Sequence, residues 1–168
     1  MAAVRPTLRD GDLTLREVTW ADCRRLYDWR MHEESRLMFR NTAVVPYPEH
    51  EALLKRYLLR PGRDRWFIFE AGGVPVGSIG ISDFSDDGTE CEFGRLTVSP
   101  EHRGKGYATR GMRLALEQAR AEGVRRVHVE VYADNAPSLQ LTHTLGFVEK
   151  GKRVDGERTY IRLESELQ

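Results

Sequence analysis

The sequence predicts an α/β domain of the α+β kind, one mixed sheet with flanking helices, in the order β-α-α-β-β-β-α-β-α-β-β. Three observations carry that prediction. Leu13-Thr14-Leu15-Arg16-Glu17-Val18 alternates as a half-buried strand should. Ala108, Met112, Ala115 and Ala119 recur at helical spacing and mark the buried stripe of a helix ending near Gly123. Between a β-rich run through Val98 and that helix lies the glycine turn Arg103-Gly104-Lys105-Gly106, and Val127 to Tyr132 resumes a strand pattern. The unit from 90 to 132 is therefore a strand–helix–strand crossover, right-handed, with its two strands parallel.

The remaining elements follow in order. Residues 1–11 read as a loose leader and 12–168 as one domain. Thr19-Trp20-Ala21-Asp22 has the form of a capping box with Asp in place of Glu, and Cys23, Leu26, Tyr27 and Arg30 recur as a helix near 20–31. Residues 32–47 are irregular. Leu53, Leu54, Tyr57 and Leu58 then share one face of a second helix, closed by Pro61-Gly62. Trp66 to Glu70 and Val74 to Ile81 form a hairpin around Gly72-Gly73, and Asp86-Asp87-Gly88 turns the chain into the strand holding Glu92. Asn135-Ala136-Pro137 has cap and first-turn chemistry for a short helix ending at Gly146, and Asp155-Gly156 joins two last strands.

Composition narrows the function. The 168 residues carry 26 Lys plus Arg against 26 Asp plus Glu, so no global field points to nucleic acid or an acidic membrane. Two widely spaced cysteines, Cys23 and Cys91, fit reduced thiols in the cytoplasm better than a disulfide framework. No run approaches the ~20 apolar residues of a membrane span. The five histidines show neither HExxH nor paired spacing, so no metal site is expected.

The glycine turn carries the first chemical signal. The leading N–H groups of a helix lack internal partners and sit at the positive end of its dipole, where they favour an anion such as a diphosphate. Gly104 and Gly106 permit positive φ and close backbone approach, and Arg103 and Lys105 add charge. The turn lacks the Gly-Lys-Ser/Thr of a P-loop and the third glycine of the dinucleotide fingerprint. Its spacing R-x-x-G-x-A, Arg103 to Ala108, instead resembles the acetyl-coenzyme A signature of the GNAT N-acetyltransferase superfamily. Asn135 to Phe147 resembles the same family's N-x-x-A/S-x-x-x-Y-x-x-x-G-F pattern, and the element order is similar to it over nearly the whole chain.

This resemblance implies an enzyme that moves the acetyl group of acetyl-coenzyme A to a primary amine by direct transfer in a ternary complex. The loop residues Arg103, Gly104, Lys105, Gly106, Tyr107, Ala108 and Thr109 would hold the pyrophosphate, and Asn135 would contact the coenzyme. Backbone groups of Leu96, Thr97 and Val98 would bind the pantetheine arm like an added strand, with the N–H of Leu96 or Val98 meeting the oxyanion. Glu92 would accept the amine proton, with Glu90 in reserve, and its replacement would flatten the alkaline-rising limb of the pH–rate profile. The chain departs from the pattern at Thr142, where many relatives place the tyrosine that protonates the departing thiolate. A water, His143 or Tyr160 then takes that role, or the thiolate leaves unprotonated. Cys91 reads as a buried strand thiol.

For the acceptor, Asp28-Trp29-Arg30-Met31 and Tyr47-Pro48-Glu49-His50 resemble members that acetylate nucleotide-linked amino sugars. That implies stacking on Trp29 and Tyr47 and phosphate binding by Arg30, Arg36 or Arg40. A protein N-terminus of the ribosomal-protein type is the alternative acceptor, and a non-catalytic coenzyme A-binding module is the alternative outside catalysis. The protein is expected to act as a monomer or homodimer.

Overall fold

The computed structural model describes residues 8–60 and 62–168. Strands β1 (Arg9–Asp10), β2 (Leu13–Glu17), β3 (Arg65–Ala71), β4 (Val74–Ser82), β5 (Glu90–Val98), β6 (Arg126–Tyr132), β7 (Val148–Asp155) and β8 (Arg158–Glu166) build one sheet. Its spatial order is β1-β2-β3-β4-β5-β6-β8-β7, and β5–β6 is its one parallel pairing, as the crossover rule predicts. Helices α1 (Cys23–Met31), α2 (Glu33–Arg36) and α3 (Tyr47–Leu59) precede β3, while α4 (Tyr107–Ala121) and α5 (Ala136–Thr144) flank β6.

Two elements were not expected. The described end of the leader is the short strand β1, which pairs antiparallel with β2 rather than hanging loose, and α2 interrupts the irregular segment. Two-residue and four-residue elements are too short to show a period. Residues 1–7 and Pro61, the predicted stop of α3, lie outside the described residues.

The run Trp66-Phe67-Ile68-Phe69 explains how the core divides. Successive strand side chains point to opposite faces, so a continuous apolar run is buried on both. Phe67 and Phe69 join a core with Ile79, Met112, Val127 and Leu163 beneath α4. Trp66 and Ile68 join a second core with Leu26, Trp29 and Leu54 beneath α1 and α3. α4 presses on the first core at Gly111, where an added Cβ would lie 2.6 Å from the Phe69 ring.

On the other face, the buried carboxylate of Asp22 anchors the start of α1. It accepts bonds from Arg16 at 2.7 and 2.8 Å, from the Thr19 N–H at 2.8 Å, and from Arg25. Burial pushes its pKa up, but these bonds outweigh it and hold the carboxyl at about 2.

Two irregularities at β5 create the site. β5 pairs with β6 only from Glu90 to Glu92 and then separates from it, leaving the β6-side edge of β5 without a strand partner. On its other edge the register with β4 slips between Gly80↔Gly94 and Ser78↔Thr97, inserting one residue. That bulge puts Arg95 at φ 54°, in the left-handed region that a non-glycine residue rarely adopts.

Candidate functional site

The fork between β5 and β6 is a cleft of about 470 Å³. Its floor includes Leu96, Thr97 and Val98, one wall includes Arg103 and Ala108, and the other includes Tyr132 and Asn135. Gly104 and Gly106 adopt φ 74° and 81°, and Gly106 is the residue that precedes α4. No side chain caps that helix start. The Arg110 N–H returns to the Gly106 carbonyl at 3.1 Å, so the amides at 107–109 are the helix's unreturned leading donors. An added Cβ at either glycine would meet nothing within 4 Å, so the space in front of the loop is open.

The side chains around the loop are engaged differently from the sequence expectation. Arg103 does not stand free beside the helix start. It pairs with Glu34 and donates to Ser35 Oγ at 2.5 Å, tying the loop to α2. Lys105 is exposed, and the Tyr107 ring lies under the Arg110 guanidinium at 5.9 Å. Asn135 lines the cleft and also caps α5, its Oδ1 accepting the Ser138 N–H at 3.3 Å.

Thr142 also lines the cleft, but its hydroxyl lies 2.9 Å from the carbonyl oxygens of both Ser138 and Leu139 and is spent on its own helix. Neither suggested substitute reaches the cleft wall. His143 is exposed and 3.6 Å from Glu149, and Tyr160 is buried beneath Arg153. The phenol on the wall is that of Tyr132, which donates to Asp134 at 2.9 Å, a bond that raises its pKa. Strand position alone gave no sign of it.

Beyond the fork, the cleft shares Phe39, Arg95 and Thr97 with a second pocket of about 240 Å³ between the sheet and helices α1 and α3. That pocket shares Arg40, Leu53, Trp66 and Arg95 with a third, where Glu92 lies. Arg95 stands in all three walls, placed there by the bulge. The segment leading into the cleft is pinned by Arg158, which donates to the carbonyls of Leu37 at 2.9 Å and Phe39 at 3.3 Å.

Glu92 is 9% exposed and doubly held, by Arg40 at Oε1 and by His128 Nε2 at 3.3 Å from Oε2. The His128 bond, with Arg40 assisting and burial opposing, keeps its carboxyl below the usual range. An ionised Glu92 across neutral pH does not itself produce an alkaline-rising limb there. The Asp83 carboxylate stands 3.9 Å behind His128. Asp83, Glu92 and His128 bring one ligand-type atom each within 4.8 Å of one another, a grouping that sequence spacing does not reveal. Arg40 already supplies that group with a cation. Glu90, the reserve, pairs with Arg126 at 2.9 Å on the exposed rim.

The aromatic residues expected to stack on an acceptor sit elsewhere. Trp29 is 8% exposed and packs in the second core with Leu26 and Leu54. Tyr47 stacks edge-on to Tyr27 with ring centroids 5.0 Å apart and carries Arg24 over its face. Arg30 does line the second pocket. Burial pushes the Cys91 thiol up to about 12, as a structural strand cysteine requires.

Known proteins are similar to this chain in sequence and fold. An uncharacterised N-acetyltransferase of Methanocaldococcus jannaschii is 30% identical over 56% of this chain and 44% of its own length. An uncharacterised N-acetyltransferase of Escherichia coli is 34% identical over 62% of each. The chain thus spans less than two thirds of either relative. The crystal structure of spermidine N-acetyltransferase from Vibrio cholerae, in complex with CoA and spermine, superposes with a TM-score of 0.83 at 21% identity, covering 94% of this chain and 96% of that one. That likeness is one of fold. The model of the acetyltransferase (GNAT) family matches residues 23–147, from the start of α1 through the glycine loop to the end of the α5 segment, and the chain belongs to that family.

Proposed function

We propose that this protein transfers the acetyl group of acetyl-coenzyme A to the primary amine of a small acceptor, within a ternary complex. The observation that carries this reading is the junction at Arg95. There a cleft with a free strand edge and free helix amides meets a second, side-chain-lined pocket next to a buried carboxylate.

In this reading the amides at 107–109 hold the diphosphate and the β5 edge at Leu96–Val98 hydrogen-bonds the amide-bearing arm. The acceptor nitrogen attacks the acetyl carbonyl carbon from the Arg95 side. An N–H of β5 meets the oxyanion, the C–S bond breaks, and the electron pair leaves on sulfur. A thiol pKa near 8.5 makes the thiolate a fair leaving group, so the commitment of Thr142 to its own helix is tolerable. The ammonium proton passes to Glu92 and His128, a relay suited to a carboxylate too weakly basic to act alone. The reduced, buried Cys23 and Cys91 suit a cytoplasmic setting. Among the described residues no helix is long and apolar enough to cross a membrane.

The test is thiol release from acetyl-coenzyme A by the purified protein over nucleotide-linked amino sugars, polyamines, aminoglycosides and N-terminal peptides. Turnover with a small amine is the expected result. Tight acetyl-coenzyme A binding with no thiol release across the panel would favour a non-catalytic binding module.

A further inference from the structure

We infer that the acceptor is a small amine carrying an oxyanion, either a carboxylate or a phosphate, seated in the second pocket against Arg30 and Arg95. This rests on the acetyl-transfer reading and narrows it to a substrate class.

Among the described residues the pocket wall holds three arginines and no carboxylate. Arg40 is neutralised by Glu92. Arg30 and Arg95 form no ion pair or hydrogen bond among the described residues, whereas Arg16, Arg103, Arg110, Arg126 and Arg153 all face carboxylates. Arg95 makes no direct polar contact; the Trp66 ring lies 4.7 Å from its guanidinium, and the charge of Asp64 offsets only part of what burial and Arg30 take from it. Burial weakens both cations, and the charge of Arg30 adds to the effect at Arg95. Two unpaired guanidiniums in one partly enclosed wall disfavour each other unless an anion joins them.

The neutral groups of the wall are also left open by the protein. Thr97 Oγ1, Trp66 Nε1 and His50 Nδ1 are buried without a partner in the protein. Their residues are 8%, 6% and 2% exposed and all line this pocket. His50 Nε2 lies 3.0 Å from the Cys23 carbonyl and must donate to it, and burial keeps the ring neutral, so Nδ1 is an acceptor. The wall therefore offers guanidinium donors for an oxyanion, backed by a hydroxyl, an indole N–H and an imidazole nitrogen that no protein group satisfies.

The same field has a chemical consequence. A polyamine would bring further positive charge to a wall that holds no carboxylate. The volume of about 240 Å³, roughly eight water molecules' share of liquid, limits the acceptor part to a small frame.

The decisive experiment titrates the full chain, saturated with coenzyme A, against matched amines by calorimetry. The pairs are glucosamine 6-phosphate with glucosamine, and β-alanine with its amide, with spermidine as the cationic probe. The expected result is that one acidic member binds about 10- to 100-fold tighter than its neutral twin. Which pair responds tells phosphate from carboxylate. Arg30→Gln and Arg95→Gln should each erode that preference, and Arg30→Lys, which keeps the charge without the fork, should retain part of it. Equal affinity within both pairs, preference for spermidine, or a preference surviving the double substitution would overturn the inference. Thiol release on the same amines separates the two claims. Acid-selective binding without thiol release sinks acetyl transfer and leaves the anion site, whereas efficient acetylation of a neutral or cationic amine sinks the anion site alone.

Discussion

The two halves of the site are made of different material. The half proposed for the coenzyme is main chain: two glycines at positive φ, a helix start without a side-chain cap, and a strand edge freed by the β5–β6 fork. The half proposed for the acceptor is side chains, with Arg30, Arg95, His50 and Trp66 drawn from α1, β5, α3 and β3. A backbone site needs only a local conformation and so recurs wherever one ligand is shared. A side-chain site can change one residue at a time, which is how one fold comes to serve many acceptors.

Four substitutions would break or sharpen that contrast. The largest effect is expected from Glu92→Gln, which removes the proposed proton acceptor and should lower kcat by about 10³-fold. Acetyl-coenzyme A affinity should stay unchanged. Undiminished kcat would remove Glu92 from the reaction. Gly106→Trp should do the reverse, weakening acetyl-coenzyme A binding by about 100-fold or more while the protein still melts cooperatively, with about 1–2 kcal/mol of left-handed strain. Normal coenzyme binding by that variant would refute the loop assignment.

The next two act on the scaffolds behind each half. Asp22 holds its proton less tightly in the fold than in the open chain, where its pKa is 3.8, so its contribution of roughly 2 kcal/mol is full above that value and disappears as pH falls through about 2. Asp22→Asn should lose that stability at pH 7 in urea melts, with the difference closing in acid. An equal deficit at pH 2 would mean that packing, not charge, is at stake. Gly111→Ala should cost about 1 kcal/mol, since crowding the Phe69 ring outweighs the gain in helix propensity. A raised melting temperature would show that α4 can lift away.

What could be read in advance follows the same division. Backbone requirements are written as residue types, so Gly104, Gly106 and the spacing to Ala108 marked the loop proposed for the coenzyme before any geometry. The crossover was legible because its strands and helix have strong periods. Arg95 was not, because a bulge adds one residue without a marker of its own. The available clue was a charged residue after Gly94 in an otherwise buried strand, where alternation breaks. Trp29 misled in the opposite sense. It lies three residues after Leu26 and six after Cys23, on the same helical stripe, and that spacing already placed it in the core. Asn135 does double duty, as a cap and as part of the cleft wall.

Gly111 also sets a dimension. Four residues into α4, the helix axis rests on the face of the Phe69 ring with no methyl group between them. The standoff between the first turn of α4 and the strand fork is thus gauged by the thickness of one benzene ring. Every donor at residues 107–109 inherits its height above the sheet from that shim, so the reach of the loop proposed for the diphosphate is set in the hydrophobic interior rather than at the surface.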